Sequence, residues 1–244
     1  MIRFSLVIPA YNEARYLPRL LDSVDEARRA FSGGPEAIEV VVADNASTDA
    51  TAAIAQARGC RVAHVEKRVI AAARNGGARA ATGEVLCFVD ADTLRIDPRT
   101  FDVIDDLLAT GRYIAGSTGL RLERWSLGIA VVFALFVPFA WLTGMDSGVV
   151  FCRREDWVAV GGYDESRPVA EDVAFLWALR RLGRRRGQRL VRATHVKATG
   201  STRKFDEHGE WHYLTMMPKV AIGMALGTDS ARRMIDRYWY RPGR

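Results

Sequence analysis

The sequence predicts an α/β fold, a mostly parallel sheet with helices on both faces. Two observations carry this. Apolar, β-branched runs alternate with segments of helical spacing through residues 1–120, the pattern that builds βαβ units. Three of these runs end in polar clusters, Tyr11-Asn12-Glu13, Asp44-Asn45 and Asp90-Ala91-Asp92. In open α/β sheets, ligands bind beyond the carboxyl ends of the strands.

The elements follow in order. Residues 4–8 read as a first strand. Residues 13–30 follow as a helix with Tyr16, Leu17, Leu20, Leu21 and Val24 on one face. A second strand is expected over 38–43, then a helix over 48–58 that Ser47 caps and Gly59 ends. A short strand over 61–65 precedes an alanine-rich helix over 69–81, closed by Gly83. Residues 85–89 read as a fourth strand. Asp97-Pro98 offers a cap and a proline at the first helical position of a helix reaching residue 110. Beyond it the pattern loosens. Strands are expected over 113–118 and 148–152, a helix over 173–182, and a helical region from Trp211 onward. The expected organisation is one domain over 1–205, in two halves (1–120 and 121–205). A C-terminal helical segment (206–244) completes it.

With 49% hydrophobic residues, 244 residues suffice to bury a sizeable core. Cys60, Cys87 and Cys152 are odd in number and far apart, which suits reduced core thiols and a cytoplasmic setting. The start of the chain shows no signal-peptide pattern. The net charge of +6 is locally concentrated: Arg180, Arg181, Arg184, Arg185, Arg186, Arg189 and Arg192 crowd one stretch. Such a surface suits nucleotide diphosphates or an anionic membrane surface, and a solvated arginine face is the plain alternative. No nucleic-acid motif accompanies it, so nucleic acid is not expected as a partner. Residues 125–145 carry no charge and are long enough to span a bilayer. A span there would part Asp172 from Asp90 and Asp92, so a buried or membrane-surface helix is expected instead. Trp125, Trp141 and Tyr238-Trp239-Tyr240 fit surface contact.

Asp90 and Asp92 stand two apart just after a strand, where extended-chain side chains point the same way. Two carboxylates aimed together call for a cation, and Mg²⁺ or Mn²⁺ suits such oxygen ligands alongside phosphates. A turn with a capping aspartate is the alternative. Two rival classes lack their signatures. The turn after the first strand, Pro9-Ala10-Tyr11-Asn12, is neither the Gly-rich loop of a nucleotidyltransferase nor the Gly-x-Gly-x-x-Gly of a dinucleotide enzyme. A non-catalytic, membrane-peripheral binding protein is a third alternative.

A resemblance covers residues 4–205. Val7-Ile8-Pro9-Ala10-Tyr11-Asn12-Glu13, Asp44-Asn45-Ala46-Ser47-Thr48-Asp49, Ala73-Arg74-Asn75-Gly76-Gly77 and Phe88-Val89-Asp90-Ala91-Asp92-Thr93 open the series. Phe151-Cys152-Arg153-Arg154-Glu155, Val160-Gly161-Gly162-Tyr163-Asp164-Glu165 and Ala170-Glu171-Asp172-Val173 continue it. In this order they resemble the motifs of family 2 glycosyltransferases. The resemblance implies a GT-A (Rossmann-like) fold and inverting transfer from a nucleotide-diphosphate sugar to an acceptor hydroxyl. It implies that Pro9, Tyr11 and Glu13 line the nucleotide pocket and Asp44 meets the base. Arg74 and Asn75 would lie near the donor, Asp90 at ribose or metal, and Asp92 on the metal. Within the pair Glu171-Asp172, Asp172 would be the base; helix capping is the rival reading of both. Gly161 and Gly162 would allow close approach to the donor sugar, or form a plain turn. Arg203 and Lys204 would meet the diphosphate or an anionic acceptor, or lie in a solvated loop. His195 and His208 read as ordinary polar residues. The Gln-x-x-Arg-Trp segment of processive relatives is missing, which implies a single addition. A lipid-linked acceptor, reached from the inner face of a membrane, is expected from residues 125–145 and the arginines.

Overall fold

The computed structural model describes residues 1–143, 146, 148–167, 169–225 and 234. The chain runs β1 (Phe4–Ala10), α1 (Leu17–Ala30), a 3-10 turn (Pro35–Ala37), β2 (Ile38–Asp44), α2 (Thr51–Ala57) and β3 (Arg61–His64). It continues through α3 (Ile70–Ala80), β4 (Val85–Phe88), β5 (Thr93–Arg95), α4 (Thr100–Ala109), β6 (Tyr113–Leu122) and α5 (Leu127–Thr143). It closes with β7 (Val150–Arg153), α6 (Arg154–Val160), α7 (Glu171–Arg185), β8 (Arg189–Gly200), α8 (Arg203–His208) and α9 (His212–Ala225). Two compact units result: Met1–Arg121 with Gly144–Gly200, and Leu122–Thr143 with Ser201–Arg244.

The first unit is built on one sheet of order β3-β2-β1-β4-β7-β6-β8-β5. Strands β3, β2, β1 and β4 are parallel, as the alternating pattern demands. Beyond β4 the sheet is mixed: β7 pairs antiparallel with both β4 and β6, and β5 pairs antiparallel with β8. The strand–helix alternation that imposes parallel pairing stops at α4, so nothing forces the later strands into register with the first four. Strands β5 and β8 lie in segments the pattern left as loop. Arginines, threonines, a lysine and a histidine interrupt β8, and its buried apolar residues Ala193, Val196 and Ala198 are spaced too irregularly to show the period.

Side chains of successive strand residues face opposite ways, and the core divides accordingly. Phe4, Leu6, Ile8, Val40, Val42, Val85 and Cys87 pack with Leu17, Leu20 and Val24 of α1 and with Phe101 and Ile104 of α4. Val7, Val41, Leu86 and Phe88 pack on the other face with Ala71 and Ala78 of α3 and with Phe175, Leu176 and Leu179 of α7. Helices therefore cover both faces. Helix α3 lies close against the sheet because it lacks two side chains. A Cβ on Gly77 would meet Val7 Cγ1 at 2.4 Å, and one on Gly76 would meet Val65 Cγ2 at 2.4 Å. That approach brings the preceding Arg74 and Asn75 down to the sheet's carboxyl edge.

Three helices begin later than expected; α2 starts at Thr51 after Ala50, and Ser47, the expected cap, accepts from Asn12 N instead (3.0 Å). Glu13 O accepts from the amides of Tyr16 (3.0 Å) and Leu17 (2.9 Å), so a separate turn precedes α1. Asp97 takes the amide of Arg99 with its carboxylate (3.0 Å) and that of Thr100 with its carbonyl (3.0 Å), holding a turn ahead of α4.

In the second unit, Ile129 and Val132 of α5 pack with Phe205 of α8, and Leu122, Tyr213 and Leu214 close the cluster. Arg124 pairs with Asp206 and with Glu210 (3.1 Å). Among the described residues no helix is long and apolar enough to cross a membrane. Tyr238-Trp239-Tyr240 and the last part of 125–145 lie outside the described residues.

Candidate active site

Strands β1 and β4 part at their carboxyl ends, the position at which open α/β sheets form a ligand crevice. Val7 O accepts from Val89 N at 3.1 Å, so the backbone polar groups of residues 7 and 9 face β4. Position 9 is proline, which has no N–H to give. The β1–β4 ladder accordingly ends at Val7 with Phe88, while β1–β2 pairing runs on to Ala10 with Asp44. The crevice is the switch point of the order 3-2-1-4, where open sheets bind ligands. Pro9 is thus placed at its wall, with Asp44 at the end of β2 and Asp90 and Asp92 in the turn after β4.

The loops after β1 and β2 brace each other. Asn12 N donates to Ser47 Oγ (3.0 Å), and Thr48 N donates to Asn12 Oδ1 (2.8 Å). Glu13 N donates to Thr51 Oγ1 (2.9 Å), and Ala14 N to Asp49 Oδ2 (3.1 Å). Asn12 (φ 53°) and Ala46 (φ 59°) sit in the left-handed region, a strained choice that persists only where surrounding contacts fix it. Asp44 is buried and accepts from Ser47 N (3.2 Å), with His64 Nδ1 at 3.4 Å. Asn45 Nδ2 holds the segment after β3 through the carbonyls of Val65 (3.0 Å) and Lys67 (2.7 Å). From that segment the Arg68 guanidinium covers the Tyr11 ring, 4.3 Å from its centroid.

Arg74 stands at the centre. It is buried, and its guanidinium donates through Nη2 to Asp90 Oδ1 (2.8 Å) and through Nη1 to Glu171 Oε1. Its Cζ lies 5.3 Å from the centre of the Tyr163 ring, which stacks on Phe175 of α7 at 4.1 Å. Burial by itself would lower the Arg74 pKa. The charges of Asp90 and Glu171, with Tyr163 and Asp172 adding, push it well above its ordinary value instead. Burial raises the Glu171 pKa, Arg74 opposes the rise, and Asp172 and Asp90 add to it. The pair Glu171-Asp172 forms the first turn of α7. It follows Ala170, the third non-glycine residue in the left-handed region (φ 57°). Asp172 is less buried than Glu171, and its Oδ1 accepts from Val173 N (2.8 Å).

Asn75 points the other way and clasps the loop after α6. Its Nδ2 donates to Tyr163 O (2.8 Å) and Glu165 Oε1 (3.0 Å), while its Oδ1 accepts from Tyr163 N (2.8 Å). Glu165 also takes Lys67 Nζ (3.0 Å) and Arg79 Nη2 (3.1 Å). Gly161 ends α6 in the left-handed region (φ 80°). Gly162 (φ 73°) has no room for a side chain, since a Cβ would meet Asn75 Oδ1 at 2.6 Å. Sequence reasoning assigned no role to Lys67, Tyr163 or Glu165. The only signal was the position of Tyr163 and Glu165 just past the glycine pair.

Arg203 and Lys204 begin α8 in the second unit, Arg203 buried and Lys204 partly so. His195 is exposed on β8, and His208 ends α8 with its ring 5.6 Å from that of His212. Among the described residues no three His, Cys, Asp or Glu side chains come together as a metal-binding set. The turn after β4 does offer two carboxylates, both open to solvent in part. That donor set fits Mg²⁺ or Mn²⁺, which take one or two carboxylates and complete their shell with phosphates and water.

Residues 5–116 match the model of the family described as glycosyl transferase family 2. Over 96 residues the chain is 38% identical to validoxylamine A glucosyltransferase of Streptomyces hygroscopicus subsp. jinggangensis, covering 37% of this chain. That match spans only 22% of the relative's length. Among solved structures, the chain resembles the mannosyltransferase PcManGT from Pyrobaculum calidifontis in complex with GDP-Man and Mn²⁺. The TM-score is 0.64 and the identity 24%, over 81% of this chain and 56% of that one. It also resembles glucosyl-3-phosphoglycerate synthase from Mycobacterium tuberculosis in complex with Mn²⁺ and UDP-glucose. There the TM-score is 0.60 and the identity 20%, over 99% of this chain and 80% of that one. Likenesses at these identities establish the fold, which is GT-A. Within that fold class, residues 5–116, just under half of the chain, are similar to glycosyl transferase family 2.

Proposed function

We propose that the chain transfers one sugar from a nucleotide-diphosphate sugar to an acceptor hydroxyl, with inversion and with a divalent metal. The observation that supports this best is the Arg74 bridge. It joins Asp90, in the turn at the crevice, to Glu171, the neighbour of Asp172, so the residues expected for donor and base chemistry meet around one guanidinium.

In this reading the nucleotide lies in the crevice past Pro9, against Tyr11 and the braced loop of Glu13, with Asp44 facing the base. Asp90 and Asp92, a DXD pair, would hold Mg²⁺ or Mn²⁺, which would supply positive charge against the departing nucleoside diphosphate. Asp172 takes the proton from the acceptor hydroxyl as its oxygen bonds to the anomeric carbon and the bond from that carbon to the diphosphate oxygen breaks. It stands in the first turn of α7, and a carboxylate so positioned can serve as a general base. Glu171 is engaged with Arg74 and acts as a positioning residue. Arg74 fixes Asp90 and the start of α7, and Asn75 fixes the loop of Gly161 and Gly162, where the donor sugar would pass. Arg203 and Lys204 remain candidates for an anionic acceptor, and a lipid-linked acceptor reached from the inner face of a membrane agrees with the uncharged α5.

The test is a thermal-shift panel of UDP-, GDP- and dTDP-sugars with Mn²⁺, followed by donor turnover. A ligand that binds only the folded chain raises its melting temperature. If none of these nucleotide sugars, with or without metal, moves the transition or is turned over, the proposal fails.

A further inference from the structure

Strands β1, β2 and β3 end in one row. In their parallel register Ala10 lies beside Asp44, and Asp44 beside His64. Register partners turn their side chains to the same face of a sheet. The row stands at the carboxyl edge, the binding edge of open α/β sheets. His64 belongs to none of the sequence motifs that mark this edge.

Asp44 is 5% exposed. Its Oδ1 accepts from Ser47 N at 3.2 Å, which fixes the carboxylate against the loop after β2. Its Oδ2 lies 3.4 Å from His64 Nδ1. A good N–H···O bond spans about 2.7–3.2 Å, so this contact is loose. The His64 side chain is 67% exposed. An imidazole carries an N–H whether neutral or protonated, and a carboxylate alongside favours the proton on the nitrogen that faces it. The row therefore offers one carboxylate oxygen next to an N–H that the carboxylate does not fully engage.

An acceptor next to a donor can tell nucleobases apart. Uracil and cytosine have the same outline and opposite edges. Uracil presents its ring N–H, a donor, next to a carbonyl, an acceptor. Cytosine presents a ring nitrogen that accepts, next to an amino group that donates. Guanine and adenine are inverted in the same way. In the proposed reading the base lies against Tyr11, whose ring Arg68 covers at 4.3 Å, and its diphosphate is held at Asp90 and Asp92. A base so anchored has one seat, with its ring nitrogen toward Asp44 and its exocyclic group toward His64. A keto base there makes two hydrogen bonds. An amino base sets a lone pair against the carboxylate and N–H against N–H, and regains the match only by leaving the seat.

We infer that His64 is a specificity-determining residue of the nucleotide site. With Asp44 it selects a donor whose base carries a ring N–H beside a carbonyl (uracil, thymine or guanine) and rejects cytosine and adenine. The inference rests on the nucleotide-sugar transfer proposed for this chain and adds to it a second group that reads the base.

The experiment is calorimetric titration of the full chain with UDP, CDP, GDP and ADP in the presence of Mn²⁺. Parent, His64→Leu and His64→Gln are compared. In whichever pair binds the parent better, UDP with CDP or GDP with ADP, the keto member should bind about tenfold tighter or more, because two hydrogen bonds are at stake. His64→Leu removes the donor. It should weaken the keto member by roughly two- to tenfold and leave the amino member no weaker, so the ratio narrows. His64→Gln keeps an N–H and should restore part of the ratio. The side chain is exposed, so both variants should melt with the parent when no nucleotide is present, and His64→Asn stands in if one misfolds. Equal weakening of keto and amino nucleotides by His64→Leu, or an unchanged ratio, would overturn the role of His64 and leave the transferase reading standing. So would amino nucleotides that bind the parent as tightly as keto ones. Absence of binding by all four would overturn both readings together.

Discussion

Arg74 Nη2 stands 2.8 Å from Asp90 Oδ1, while the other arm of the same guanidinium engages Glu171, 97 positions further along the chain. The Arg74 and Glu171 side chains are each 9% exposed, whereas Asp90 is half open to solvent. The three do not share the burden equally. Breaking a buried pair from one side leaves the other charge uncompensated. Arg74→Met should therefore destabilise the chain by about 3–5 kcal/mol. Glu171→Gln keeps an acceptor for Arg74 and should cost only about 1–2 kcal/mol. Urea unfolding of the two variants checks the order, and equal losses would contradict it.

Asp172→Asn removes the proposed base without changing side-chain volume. Turnover should fall by about 10²–10⁴-fold, the range for losing a positioned general base. The melting-temperature rise given by nucleoside diphosphate with Mn²⁺ should persist, because the base is not part of the nucleotide pocket.

Asp92→Ala should do the reverse to ligand binding. A nucleotide at a hundred times its Kd adds about 2.7 kcal/mol to folding stability. In the variant, or in the parent with chelator, that gain should largely vanish while the ligand-free melting temperature stays put. A full nucleotide-induced shift without metal would remove the case for a cation at Asp90 and Asp92.

The two adjacent glycines make a controlled pair. Both have positive φ, so alanine at either costs about 1 kcal/mol for the backbone. A Cβ at 161 meets nothing within 4 Å, but one at 162 meets Asn75 Oδ1 at 2.6 Å and Trp157 at 3.0 Å. Gly162→Ala should lose a further ~1–3 kcal/mol from overpacking. It should also loosen the clasp of Asn75 on Tyr163. Denaturation midpoints of the two variants give the difference.

Hydrogen bonds from Asn75 and Lys67, then the charges of Lys67 and Arg79, hold the Glu165 pKa below the ordinary glutamate value. The unfolded chain takes up this proton first, so the contribution is complete above the ordinary value. It fades as pH falls through the lowered, folded one. Glu165→Gln should be less stable than the parent at neutral pH, and the gap should close between about pH 5 and pH 3. Melting temperatures across that range test it, and a gap that widened in acid would reverse the assignment.

Much of the fold was legible in the sequence because it rests on local periodicity. The four parallel strands and the helices between them show as runs and repeats within a few residues, and the polar ends of β1, β2 and β4 mark the proposed binding edge. Strand β8 was not legible, because its arginines and threonines hide the alternation that only pairing with β5 reveals. The site divides in the same way. Asp90 and Asp92, Arg74 and Asn75, and Glu171 and Asp172 stand out as motifs. Lys67 and Glu165 do not, since their partners lie in other segments.

The sequence by itself determined the α/β class, the carboxylate pair after β4 and the charge-free stretch that became α5. Tertiary structure alone decided that the sheet turns antiparallel beyond β4, that Arg74 takes one carboxylate from each side, and that Asn75 turns away to hold Tyr163. The reason lies in range. A strand or helix signal is written every two or three to four residues, whereas a contact between positions 74 and 171 exists only once two glycines let α3 settle on the strands.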